Sequence, residues 1–158
     1  MNQDQICRSH LLAALRGNVA HLSFEETVKN FPESHYNEKI PGVQYSSWDV
    51  LEHMRIGQWD ILDFIINPEY QSIEWPDGYW PKEKGGVKKW NGSVDDFLID
   101  RKKLEDMVND ASIDLFSPIP HAPDYTVFKE ITLVISHNSY HLGQILTMRK
   151  AMGIWPAE

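Results

Sequence analysis

Apolar residues recur at three- and four-residue intervals through four long stretches of the chain, the spacing that lines up one face of an α-helix. In residues 2–17, Ile6, Cys7, Leu11, Ala14 and Leu15 share such a face, and Gly17-Asn18 supplies a stop. Ser23-Phe-Glu-Glu26 has the pattern of a capping box and predicts a short extra turn ended by Phe31-Pro32. A second long helix is expected to begin at Ser46 or Ser47, whose hydroxyls can cap free N–H groups. It should stop at Asn67-Pro68, because proline disfavours helical backbone in the residue before it. A third is expected from Ser93, with Asp95 and Asp96 in its first turn, to about Asp110, and a fourth from Thr126 to Gly153. No stretch alternates with period two for long enough to require a sheet.

The pattern therefore predicts an all-α chain, an antiparallel four-helix bundle forming a single domain over residues 1–158. Two connections are long, 67–92 and 111–125, and loops of that length in a compact domain are often lids or binding loops. The first contains Tyr70, Trp75, Tyr79, Trp80 and Trp90. The chain has six each of Trp, Tyr and Phe, more than one small core readily hides, so some aromatics are expected at a partner surface, most simply that of a homodimer.

Charge narrows the partners. Fifteen basic against 23 acidic side chains give a net charge of −8, which disfavours nonspecific attraction to nucleic acid or to anionic membranes. The apolar runs fall short of the ~20 residues that a membrane span needs. A single cysteine, Cys7, excludes an intramolecular disulfide, and no secretory leader pattern opens the sequence, so a cytoplasmic location is expected.

Chemistry concentrates in the histidines. His137 and His141 are spaced H-x-x-x-H in the fourth helix, which puts the two imidazoles about 40° apart in azimuth and about 6 Å apart along the axis. Two such nitrogens can share one metal ion. His53 lies on the inward stripe of the second helix, among Val50, Met54, Gly57, Ile61 and Phe64, where a bundle would aim a third ligand. Three neutral imidazoles and an open position suit a divalent metal, Zn²⁺ or Ni²⁺ above all. The competing reading is a set of hydrogen-bonded core histidines, but burying a pair on one apolar face without partners costs on the order of 1–3 kcal/mol per unsatisfied group.

Around these, Gly57 implies either a close helix approach or a space kept open beside His53. Asp49, four residues before His53, could fix its tautomer, Asp60 lies in the same sector, and either could assist catalysis. Gln144 could hydrogen-bond a substrate. His10, His21, His35 and His121 have no partner at ligand spacing and read as structural. The group Lys82, Lys84, Lys88 and Lys89, interrupted by Glu83, reads as a solvated loop rather than an anion site. Neither a G-x-S-x-G elbow nor a phosphate-binding glycine loop is present.

Trp48-Asp-Val-Leu-Glu-His53, together with His137-Asn-Ser-Tyr-His141-Leu-Gly-Gln144 and the following Arg149 and Met152-Gly153, resembles the DinB-like (damage-inducible B) family over nearly the whole chain. The resemblance implies a four-helix bundle that binds a divalent metal through His53, His137 and His141, and forms dimers. The wider superfamily includes S-transferases that use low-molecular-weight thiols, together with members of no assigned activity. Two functional expectations follow: a metal-dependent thiol S-transferase or hydrolase acting on a small molecule, or a non-catalytic, stress-related metal-binding or interaction bundle in which a carboxylate such as Asp49 closes the coordination shell.

Overall fold

A computed structural model describes residues 2–17 and 19–156. It is mostly helical: α1 Gln3–Arg16, α2 Phe24–Val28, α3 Ser47–Ile66, α4 Val87–Asn109 and α5 Val127–Ala151, with one small sheet of β1 Pro118–Ile119 and β2 Ala122–Thr126. Among the described residues, no helix is long and apolar enough to cross a membrane.

The helix ends follow local chemistry. Asn2 and Gln5 form a reciprocal capping box at the start of α1, and Gly17 closes it with φ at 76°. Asn18, the other half of the expected stop, lies outside the described residues. Ser23 and Glu26 cap α2 as their pattern predicts. Ser46 and Asp49 form the same box on α3, which ends at Asn67, immediately before Pro68. Thr126 caps α5 through the amide of Lys129, and Arg149 and Lys150 stand in its last turn, where the helix dipole favours positive charge.

Two expectations are corrected. The third long helix begins at Val87 rather than Ser93, with Gly86 at its N-cap and no side-chain cap. Packing, not capping, holds the extra turns: Trp90, expected in the loop, is 3% exposed and stacks on Tyr36 with ring centroids 4.1 Å apart. Ser93 instead donates its hydroxyl to Glu52. The second long connection also contains a two-stranded antiparallel sheet, with Pro118 opposite Thr126 and Ile119 opposite Ala122 around an irregular register. Strands this short leave no period-two pattern to read.

α3 packs against both α4 and α5, and α1 lies against α4 and α5. Apolar side chains gather in two clusters. One holds Phe24, Trp48, Met54, Trp90, Phe97, Leu142 and Ile145; the other holds Leu11, Leu62, Leu104, Val108, Ile131 and Val134. On α3 the clusters part between Met54 and Leu62, and on α5 between Val134 and Leu142. Four of the buried polar side chains, His53, Gln58, Asn138 and His141, sit at or beside that boundary.

Arg149 joins three segments from inside the core. Fully buried, it donates to the carbonyls of Thr27 at 2.7 Å, Lys29 at 2.9 Å and Ile154 at 3.3 Å. Its burial without a carboxylate lowers its pKa from the usual value. Hydrogen bonds from a charged donor contribute about 1.5–3 kcal/mol each, partly offset here by the desolvation of the cation. Arg149→Met is therefore expected to destabilise the fold by about 2–4 kcal/mol, read as a lowered denaturation midpoint at unchanged slope. An unchanged midpoint would show that those carbonyls find other partners.

Candidate metal centre

α3 and α5 bring His53, His137 and His141 together. One ligand-capable nitrogen from each lies within 4.8 Å of the others, with His53 and His141 buried and His137 half-buried. The Nε2 of His53 is 3.0 Å from that of His137 and 3.1 Å from that of His141. No other group of three or more histidine, cysteine or carboxylate side chains with this proximity occurs among the described residues.

The tautomers decide what these short distances mean. Nδ1 of His53 lies 2.9 Å from the carbonyl of Tyr79, which can only accept, so Nδ1 carries the proton and Nε2 is left bare. Nδ1 of His141 donates in the same way to Oε1 of Gln144 at 2.6 Å, and the Gln144 amide group in turn donates to the Tyr45 hydroxyl at 2.6 Å. For His137 the orientation comes through a relay. Gln58 donates to the backbone carbonyl of Phe97 at 2.7 Å, which turns its Oε1 toward the Asn138 amide at 3.0 Å and leaves Asn138 Oδ1 facing His137 Nδ1 at 3.4 Å. All three Nε2 atoms thus point lone pairs at one another.

Lone pairs that face one another at 3.0 and 3.1 Å repel unless a positive charge lies between them. Nitrogens about 2.0–2.1 Å from a shared ion stand about 2.9 Å apart at right angles and about 3.4 Å apart at the tetrahedral angle. The observed spacings fit that range, and neutral imidazole is the form that ligates. Burial first, and then the neighbouring imidazoles, lower the pKa of His137 and of His141 to about 4. Desolvation also lowers that of His53, against the raising effect of its Tyr79 bond.

The remaining expectations sort by position. Gly57 belongs to a close approach: a Cβ there would stand 3.0 Å from Cε1 of His137. Asp60 is buried beside the site, where its two oxygens accept from the hydroxyls of Tyr70 at 2.9 Å and Tyr79 at 2.6 Å. It reaches His53 only through Tyr79. Asp49 is corrected: its Oδ2 takes the amide and hydroxyl of Ser46 at 2.8 and 2.9 Å, so it caps α3 and neither orients His53 nor closes a coordination shell. Gln144 orients His141.

Beside the imidazoles opens a pocket of about 540 Å³, within the usual range for small-molecule sites. The connection between α3 and α4 forms one wall. Trp80 stacks on His53 with centroids 4.2 Å apart and planes 7° apart, and a 3₁₀ turn at Asp77–Tyr79 aims the Tyr79 carbonyl. Gly85 lets this connection close on the core, since a Cβ there would fall 2.6 Å from the Trp48 ring. Proximity along the sequence could not reveal the parts played by Tyr79, Trp80 and Tyr45, although the density of aromatics in 67–92 was a signal.

His10, His21, His35 and His121 stay outside the cluster. His121, for example, bonds the Phe64 carbonyl at 2.8 Å. Lys82, Lys84, Lys88 and Lys89 are exposed, with Lys89 paired to Glu83.

Gly57→Ala separates the site from the fold. A methyl group would press on the His137 ring and displace Nε2 by a few tenths of an ångström, while alanine favours the helix by up to about 1 kcal/mol. Metal affinity is expected to fall about tenfold, at the lower end for groups that support ligands, with metal-free stability equal or higher. Calorimetric titration giving wild-type affinity would remove the role assigned to this glycine. Comparison of the chain with protein-family models, with curated proteins and with solved structures finds no match.

Proposed function

We propose that the chain is a DinB-like metalloenzyme built as an antiparallel four-helix bundle, with His53, His137 and His141 holding one divalent ion, zinc or nickel, and with thiol S-transfer or hydrolysis as its reaction. The observation that carries this reading is the convergence of three bare Nε2 atoms at the edge of an open pocket. A bound divalent ion supplies positive charge that lowers the pKa of a water or thiol beside it, making either a nucleophile near neutral pH.

The protein's own groups do the rest. The Tyr79 carbonyl, the Gln144 amide and the Asn138 amide hold the imidazoles in the ligating tautomer, a role whose loss commonly costs 10- to 100-fold. Asp60 fixes Tyr79 and hence the carbonyl that orients His53. Trp80, stacked on His53, covers one side of the site with apolar surface and limits water there. With Asp49 occupied at the helix start, no carboxylate joins the cluster among the described residues, which favours the open catalytic site over the closed, non-catalytic one.

The test is metal analysis of tag-free protein, followed by assays for conjugation of low-molecular-weight thiols to an electrophile and for hydrolysis of activated amides. Metal-dependent turnover lost in His53→Ala is the expected result. Identical background rates for both proteins across that panel would overturn the enzyme and leave the non-catalytic metal-binding bundle. Homodimerisation belongs to the same reading and rests on the resemblance. Phe24, Phe31, Tyr36, Trp48, Trp90 and Phe97 fill the core and Tyr45, Trp75, Tyr79, Trp80 and Tyr140 line the pocket, which leaves Trp59, Phe116 and Tyr125 as exposed aromatics available to a partner surface.

A further inference from the structure

The walls of the pocket beside the histidines are one-sided in chemistry. Tyr45, Trp75, Tyr79, Trp80, Leu133 and Tyr140 present aromatic or aliphatic surface, and neither lysine nor arginine lines it. Asp60 is the single carboxylate of the lining among the described residues. Both its oxygens accept phenol hydroxyls, the bonding pattern of the ionised form. The nearby lysines face elsewhere: Lys82 and Lys89 line a separate hollow of about 440 Å³ with Glu52, Arg55 and Glu83.

Charge balance follows from these walls. A divalent ion on the three histidines would be offset by Asp60 and by one coordinating anion, leaving nothing to pair with a further negative group on the substrate. A second carboxylate entering here would give up its water without a donor cation in return. An ammonium group meets the opposite environment, with the aromatic rings of Trp75, Tyr79 and Tyr140 and the carboxylate of Asp60 in the lining. Trp75 is 74% exposed, with its ring centroid 5.4 Å from that of Tyr79 and the planes 63° apart, so its ring is accessible to an entering molecule.

We propose that this pocket selects apolar molecules bearing an ammonium group, holds uncharged analogues less tightly and rejects acids, carboxylate-rich thiols included. The proposal rests on the pocket being the substrate site of the metalloenzyme described above. It narrows the substrate class to amines and neutral apolar compounds.

Three probes of similar shape test it on the intact chain: benzylammonium, benzyl alcohol and benzoate, followed by calorimetry and tryptophan fluorescence. In chelator-treated protein, which reads the walls alone, the cation should bind about tenfold more tightly than the alcohol, and benzoate more weakly than either. Benzoate binding as tightly as the cation overturns the proposal. Trp75→Ala, a change at an exposed position that leaves the core intact, should weaken the cation about three- to fivefold. Asp60→Asn should bring the cation level with the alcohol. Unchanged preferences in both variants overturn the assignment of these walls. The two readings fail separately: a cation preference in a chain that does not bind zinc overturns the metalloenzyme alone, and zinc binding with no preference among the probes overturns this inference alone.

Discussion

His141→Ala is expected to lower the affinity for one divalent ion per chain by at least about a hundredfold. Structural zinc sites hold their ion with about 10–16 kcal/mol, which divided among four ligands is about 3 kcal/mol for each, or roughly two powers of ten. The loss should be larger than that caused by Gly57→Ala, because a ligand is removed rather than displaced. His53→Ala and His137→Ala should behave alike, since the three Nε2 atoms converge on one another at 3.0 and 3.1 Å. His121→Ala, whose ring bonds the Phe64 carbonyl, should leave affinity unchanged.

The same ion should tie α3 to α5. Metal at a hundred times its dissociation constant adds about 2.7 kcal/mol to stability if the unfolded chain does not bind it, and that increment should vanish in each alanine variant. Titration calorimetry with paired melting curves checks both effects. Wild-type affinity in His141→Ala would show that the ion, if bound, sits elsewhere.

What the sequence carried about this site was the part encoded by helical periodicity. His137 and His141 share a helix, so their common face follows from spacing alone, and His53 lies on an apolar stripe that a packed helix turns inward. Gly57 was legible as an anomaly, a costly residue in a helix interior, though not as a seat for the His137 ring. The groups that orient the imidazoles were not legible in the same way. Tyr79 meets His53 from 26 positions away, through a backbone carbonyl that any residue possesses. Asp49 shows the opposite error: four residues before His53 is a plausible distance for a supporting carboxylate, but three residues after Ser46 is the capping-box position, and the local bond won. The early start of α4 escaped because Gly86 gives no side-chain cap and the turn is held by Trp90 stacking on Tyr36, a contact between distant segments.

Acid should affect binding and stability over different ranges, because burial lowers the pKa of His137 and of His141 to about 4 and that of His53 below its ordinary value. Exposed imidazoles would begin to lose metal to protons near pH 6.5, with three ligands together costing up to about three powers of ten per pH unit. Here His137 and His141 stay neutral in the folded, metal-free site well below that point, so affinity should fall less steeply between pH 6.5 and about 5 than it would for exposed imidazoles, and most steeply nearer 4. Stability responds earlier. The unfolded chain takes up protons on these histidines from about pH 6.5 downward, while in the folded chain His137 and His141 resist until about 4 and burial lowers His53 below its ordinary value, so the unfolded state binds more protons throughout that window. The contribution is therefore fully present above about pH 6.5 and is lost as pH falls toward 4, with a slope of at most about 1.4 kcal/mol per pH unit for each histidine. Glu130 works in the other direction, since burial raises its pKa and its protonation favours the fold in acid. The informative comparison is hence between wild type and a variant with all three histidines changed to glutamine, each metal-free, by denaturation midpoint from pH 8 to 4. The variant should lose less stability over that interval than wild type. Equal slopes, or wild-type metal affinity already collapsing by pH 6, would mean that these imidazoles are not held neutral by burial.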